Sequence, residues 1–503
     1  MRVIMKSLRR TLVFFIFSVF LCGTVSARQI EWQSCMTSPY SDWFGTESSS
    51  PELLCGYLSV PLKYTDTGED VSDENIPLVR LAMTKLPAKS KRKGSIIIIS
   101  GGPGLPGINP YISFDWPVTN LRESWDIIGF DPRGVGQSFP AINCQQPNQE
   151  RSVNVSEKQL ILQKINACIH NTGAEVIRHI GSHEAVYDIE RIRQALGDKQ
   201  LTAVAYSYGT QIAALYAERF PSSIRSIVFD GVVDIDDLND NFSWKLRQAH
   251  SYQETFDRFA AWCARTKSCP LSSDRNQAIH QFHQLLLKLH NSPLTDSRGE
   301  SISSDDLISL TTELLLWRSS WPTLATAVRQ FSQGIVSNEI ETALNSSIAS
   351  EKVSDALGVI LCVDQSDEQL SQEQRKSRKK ALADAFPAVN FEREQSDLPE
   401  FCELWPIHRD LQQTRLKNTV LPSGLLFVAH KYDPTTPWIN ARKMADKFSA
   451  PLLTINGDGH TLALAGSNLC VDEAVWICPY ISRHLLSLNP LQARCRRYSR
   501  GER

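Results

Sequence analysis

Runs of β-branched and aromatic residues alternate with helical spacing through the first half of the chain. Leu58–Leu62 and Leu78–Met83 read as two strands around a polar turn region. The four consecutive isoleucines Ile96–Ile99 leave no polar face, which predicts a strand buried on both sides. Asp126–Phe130, Leu201–Ala205 and Ile224–Phe229 repeat that pattern, and Glu157–Cys168, Ala185–Leu196 and Gln211–Arg219 place apolar residues at helical spacing between them. Such alternation predicts an α/β fold with a mostly parallel sheet flanked by helices on both faces.

From about Ile235 to Thr419 the pattern changes. Strand runs nearly vanish, and Trp244–Arg265, Asn276–Leu289, Ser304–Leu316 and Ala325–Gly334 show helical periodicity. Sheet patterning resumes at Gly424–Ala429 and Pro451–Ile455. The expected organisation is therefore a core in two parts, residues 28–234 and 420–503, with a large inserted helical cap at 235–419. An insert between sheet strands lies over the strand ends, where α/β folds bind ligands. The basic run Lys89–Lys93 reads as a solvated loop.

Charge and cysteine content narrow the setting. The 503 residues are 42% hydrophobic and 21% charged, an ordinary globular composition, and the formal net charge of -2 gives no reason to expect nucleic acid as a partner. Residues 1–27 combine Arg2, Lys6, Arg9 and Arg10 with an apolar run from Leu12 to Cys22 and Val25-Ser26-Ala27, the three-part pattern of a secretory signal peptide. Export of the mature chain, to the periplasm or outside the cell, with no stable membrane insertion after cleavage, is the expectation. Of the twelve cysteines, Cys22 falls in the leader, and the other eleven then imply disulfides. Nearest-neighbour pairing gives Cys35–Cys55, Cys144–Cys168, Cys263–Cys269, Cys362–Cys402 and Cys470–Cys478, with Cys495 left over. No cysteine or histidine spacing suggests a metal.

The chemistry centres on Ala205-Tyr206-Ser207-Tyr208-Gly209, placed between a strand and a helix. A serine on such a turn is pushed out at the strand end, and small residues two places either side avoid clashes. A hydroxyl needs a base and the base needs an orienting acid. His460, in Gly457-Asp458-Gly459-His460, follows the last strand, and Asp433 follows the one before it. Asp230, at the end of Ile224–Phe229, competes for the role of the acid; Asp458 is too near His460 in sequence to reach it well. The backbone N–H groups of Tyr208 and Gly102 are the expected oxyanion donors. No metal or organic cofactor is called for.

Four ordered motifs carry a closer resemblance: Gly101-Gly102-Pro103-Gly104, Asp131-Pro132-Arg133-Gly134, Tyr206-Ser207-Tyr208-Gly209-Thr210 and Asp433-Pro434-Thr435-Thr436-Pro437. With Trp321-Pro322-Thr323, Leu361-Cys362-Val363-Asp364 and Cys402-Glu403-Leu404-Trp405-Pro406, they resemble the secreted tripeptidyl-aminopeptidase-like branch of α/β-hydrolases, related to the proline iminopeptidases. The likeness runs from about Cys35 to Cys478. Ser100 stands where the iminopeptidases usually have His, and Ala205 where the elbow usually has Gly. The resemblance implies an α/β-hydrolase fold and a serine peptidase that releases short N-terminal pieces from peptide substrates. It also implies an anion for the substrate ammonium, for which Asp364 and Glu403 are candidates if a Cys362–Cys402 bridge brings them together. An esterase or lipase using the same groups, and a non-catalytic binding protein, remain alternatives.

Overall fold

The computed structural model describes residues 30–44, 51–65, 77–108, 121–146, 156–238, 240–266, 268–348, 351–365, 368–390, 399–409 and 422–477. The leader expected at 1–27, Cys478 of the expected Cys470–Cys478 pair, and Cys495 lie outside them. The strands are β1 (Gln33–Ser34), β2 (Leu54–Pro61), β3 (Leu78–Leu86), β4 (Gly94–Ile99), β5 (Trp125–Phe130), β6 (Leu201–Tyr206), β7 (Ile224–Asp230), the short hairpin pair β8 (Leu294–Thr295) and β9 (Ser301–Ile302), then β10 (Leu425–Tyr432) and β11 (Leu452–Asp458).

Nine of these form one sheet in the order β1-β2-β3-β5-β4-β6-β7-β10-β11. The first three pair antiparallel with each other, and β3 pairs antiparallel with β5; from β5 onward every pairing is parallel. Every residue of β4, β5 and β6 is buried, as unbroken apolar runs require when both sheet faces are covered. Helices α1 (Glu157–Thr172), α2 (Ala174–Arg178), α3 (Ser182–Ala195) and α4 (Tyr208–Arg219) precede the insert; α12 (Trp438–Lys447) and α13 (Leu469–Ile477) follow it. Two apolar clusters sandwich the sheet. One contains Ile97, Ile99, Ala203 and Phe229, and the other Ile96, Ile98, Val204 and Val228, so alternate residues of the same strands feed opposite layers.

Between β7 and β10 lie α5 (Asn241–Cys263), α6 (Arg275–Asn291), α7 (Ser304–Leu314), α8 (Trp321–Ser332), α9 (Asn338–Ile348), α10 (Glu351–Asp364) and α11 (Gln372–Ala385). Phe256, Phe259, Phe282, Trp321, Phe331 and their neighbours form a separate apolar core for most of this insert, while Val359, Ile360 and Val363 of α10 pack into the cluster against the sheet. Among the described residues, four disulfides match the nearest-neighbour expectation: Cys35–Cys55, Cys144–Cys168, Cys263–Cys269 and Cys362–Cys402. The basic run at Lys89–Lys93 is more than a solvated loop. Arg92 binds Asp126 at 2.8 Å and Asp198 at 2.9 Å, closing the far ends of β4 and β5 against the turn before β6.

The Asp131-Pro132-Arg133-Gly134 motif proves to be scaffold. Arg133 is wholly buried, forks onto Asp188 of α3 at 2.7 and 2.5 Å, and donates to the carbonyls of Leu62 and His179. Asp131 accepts from the backbone of Gly107, Ile108 and Gln137, fixing the exit of the glycine-rich loop. Because truncating one member of a buried pair strands the other charge, Arg133→Ala should destabilise the fold by about 3–5 kcal/mol. Chemical denaturation of the two proteins measures this; a loss below about 1 kcal/mol would contradict the assigned role.

Candidate active site

The parallel strands set the site by ending together. Ser207 follows β6 with φ 51° and ψ -125°, a strained conformation for a side chain other than glycine, and is followed at once by α4. The turn is held by Ser207 N–H donating to Asp230 O at 2.9 Å and by Thr210 Oγ1 donating to Ser207 O at 2.6 Å. Gly209 is obligatory here, since a Cβ would lie 2.5 Å from the carbonyl oxygens of both Ile99 and Ser100. Ala205 is fully buried, so the usual glycine two places before the serine has been replaced by a methyl that the core accommodates.

His460 and Asp433 meet as the strand positions predict. His460 Nδ1 lies 2.9 Å from Asp433 Oδ2 and 3.2 Å from Oδ1, with both side chains buried. Asp433 Oδ1 also accepts from the N–H groups of Thr435 and Thr436, and Oδ2 from Thr436 Oγ1, each at 2.9 Å. The carboxylate is therefore locked towards the imidazole. Burial alone would lower the His460 pKa, but the Asp433 charge and hydrogen bond, with a smaller contribution from Asp230, outweigh it and raise the value from its ordinary one. Thr436, whose hydroxyl lies 3.2 Å from His460 Nδ1, was not singled out from the sequence. Its signal was available as the second threonine of the Asp433–Pro437 motif.

The competing carboxylates have other partners. Asp230 Oδ2 accepts the backbone N–H groups of Leu462 and Ala463 at 2.6 Å each, so it holds the loop behind His460. Asp458 points away and pairs with Arg258 and with Arg318. Ser207 Oγ makes no hydrogen bond among the described residues; such contacts often close only on substrate binding.

Gly102, with φ 105°, and Tyr208, at the first turn of α4, flank the serine, and neither backbone N–H has a partner among the described residues. Gly101 must be glycine because a Cβ there would approach Ser207 Cβ to 2.9 Å. Ser100, the departure from the iminopeptidase pattern, closes the loop by donating to Leu105 O at 3.0 Å.

A cavity of about 600 Å³ opens above these groups, between the sheet ends and the helical insert. Gly102, Ser207, Tyr208 and Thr436 form its floor; Trp244, Tyr252, Leu357, Leu361 and Phe386 give it mostly apolar walls. The Cys362–Cys402 bridge forms, yet it leaves Asp364 and Glu403 in different surroundings. Asp364 lines the cavity, buried, and accepts from Ser182 N–H at 2.9 Å, the Ser182 hydroxyl and Tyr208 Oη at 2.6 Å. Glu403 is neutralised by Arg375 at 2.7 Å. They do not act as one anionic pair.

The family described as alpha/beta hydrolase fold matches residues 94–466. YuaR of Escherichia coli (strain K12), whose own name goes no further than hydrolase, is 97% identical over 97% of this chain and 96% of that protein. Serine protease Hip1 of Mycobacterium tuberculosis (strain ATCC 25618 / H37Rv) is 30% identical over 90% of each chain. Carboxylesterase B of the same strain is 27% identical over 90% of this chain and 88% of the relative, and tripeptidyl aminopeptidase of Streptomyces lividans is 25% identical over 89% and 83%.

Burial raises the pKa of Asp230 to about 6, against an ordinary aspartate value of 3.8. A carboxyl with a raised folded-state pKa contributes stability that is complete below its unfolded pKa and lost as pH rises through the folded one. Wild type should therefore lose up to about 3 kcal/mol relative to Asp230→Asn between pH of about 4 and about 6. Paired melting curves at both ends of that window test it; a difference independent of pH is the contrary result.

Proposed function

The chain belongs to the α/β-hydrolase family, and on that premise we propose that it is an exported serine peptidase releasing short N-terminal pieces from peptides. Ser207 is the nucleophile, His460 the general base and acid, Asp433 the orienting carboxylate, and the N–H groups of Gly102 and Tyr208 the oxyanion donors. The observation that carries this reading is the His460–Asp433 hydrogen bond standing at the same sheet edge as the strained Ser207 turn.

Ser207 Oγ attacks the scissile carbonyl as His460 Nε2 takes its proton, and Asp433 stabilises the resulting imidazolium. The carbonyl oxygen gains the negative charge and is held by the two backbone donors. Collapse breaks the C–N bond, with His460 returning the proton to the leaving amine. Water, deprotonated by His460, then releases the acyl group and restores Ser207. The peptidase reading is supported by the family resemblance and by relatives named serine protease and tripeptidyl aminopeptidase. A cavity of about 600 Å³, roomier than one side chain needs, suits an acyl portion of more than one residue. Export is supported by the four disulfides, which form in oxidising compartments. Esterase activity is the second reading, favoured by the mostly apolar cavity and by the relative named carboxylesterase B.

Ser207→Ala should reduce kcat by at least about 10⁴-fold while leaving the melting temperature within a few degrees, and should abolish labelling by a fluorophosphonate. Retained turnover would falsify the mechanism. Peptidyl-amide reporters with a free amine should be cleaved in preference to the same reporters acetylated at that amine. Equal rates on both, together with faster cleavage of short-chain esters, would favour the esterase.

A further inference from the structure

The helical insert grips the loop that carries His460. His460 N–H donates to Leu316 O at 2.7 Å, and Trp317 Nε1 donates to His460 O at 2.9 Å, so both main-chain groups of the histidine are bonded to the insert. Trp317 and Gly459 form an antiparallel bridge. One residue earlier, Asp458 is held by Arg258 of α5 and by Arg318 at 3.1 Å. The acid loop is bonded from the same side, where Gln248 of α5 donates to Thr435 O at 3.0 Å.

This grip answers a local need. Thr461 and Leu464, just after the histidine, have φ of 57° and 58°, conformations that persist only when surrounding bonds over-determine them. Asp230 supplies those bonds from the sheet side through Leu462 and Ala463. Leu316 and Trp317 supply them from the insert. Trp317 is 42% exposed, so burial explains little of its placement, whereas its indole N–H meets the carbonyl of His460 itself.

We propose that Trp317 is a positioning residue for His460, and that the insert is a fixed member of the catalytic apparatus rather than a lid that lifts away from it. The proposal rests on the serine-hydrolase reading above. The charged and titratable groups around the histidine are Asp433, Asp230, His430, Asp458 with Arg258 and Arg318, and Tyr252 near Asp433. Of these, Asp433 sets the protonation of His460 most directly. Freeing the main chain of the histidine weakens that pairing.

The test is Trp317→Phe, which keeps a ring and removes the donor, beside Trp317→Ala and Asp458→Asn. With rates expressed per fluorophosphonate-titrated site, Trp317→Phe should lower kcat roughly tenfold with KM little changed, and Trp317→Ala should do the same. The acid limb of the kcat–pH profile should move to lower pH in both, and in Asp458→Asn in the same direction. A Trp317→Phe enzyme with wild-type kcat and an unmoved acid limb, only the alanine variant being impaired, would mean that the ring merely packs and would overturn the proposal. Absence of labelling at Ser207 in the wild-type protein would instead bring down the serine-hydrolase reading, a result distinguishable from the first.

Discussion

The hydrogen bond between His460 Nδ1 and Asp433 can form only because β10 and β11 run parallel and end at the same edge of the sheet. Residues 27 apart in sequence become neighbours there, and the β6 turn delivers Ser207 to that edge. Each parallel strand adds one loop on the same side, so chemistry gathers along the carboxyl ends of the strands. The imidazole can serve as a base poised above its ordinary pKa because the Asp433 charge outweighs the penalty of burial. That carboxylate in turn is kept aligned by two backbone N–H groups and the Thr436 hydroxyl.

Around this pair, polar groups are committed at both levels of the structure. Beneath it, Asp131 and Arg133 spend their hydrogen-bonding capacity on the glycine-rich loop and on α3, leaving the loop backbone fixed beside Ser207. Above it, the insert touches every element of the candidate site. Gly104 comes so near Ala356 of α10 that a Cβ would lie 2.8 Å from it, Asp364 bonds Tyr208, Gln248 bonds the acid loop, and Leu316 and Trp317 bond His460. Most of the insert has an apolar core of its own, but Val359, Ile360 and Val363 of α10 join the cluster against the sheet, so apolar and polar contacts together fix the insert's register at the cavity.

Asp364 shows how burial changes the meaning of a carboxylate. A charged oxygen enclosed by Ser182, Tyr208 and Gln211 is already supplied with donors, and burial raises its pKa. Its present work is to tie the last turn of α10 to Tyr208, the residue after Ser207. Glu403, adjacent to the bridged Cys402, is satisfied by Arg375. Neither assignment follows from proximity to a disulfide alone.

The sequence alone determined what depends on local patterning. Ile96–Ile99 had to be a buried strand, Ser207 had to sit on a sharp strand–helix turn because Gly209 allows the close approach, and the chain order of Ser207, Asp433 and His460 named the side chains to watch. Nearest-neighbour cysteine pairing also held at the four bridges described, since the loops they close are short. Only the tertiary structure decided between Asp433 and Asp230, because both end a strand and the choice turns on which carboxylate faces the imidazole and which faces the backbone of Leu462 and Ala463. It alone revealed the Trp317 contact, for which no periodicity exists. A hydrogen bond from an indole N–H to a main-chain carbonyl 143 residues away leaves no trace in the hydrophobic pattern, and direction, unlike burial, is not written in the order of residues.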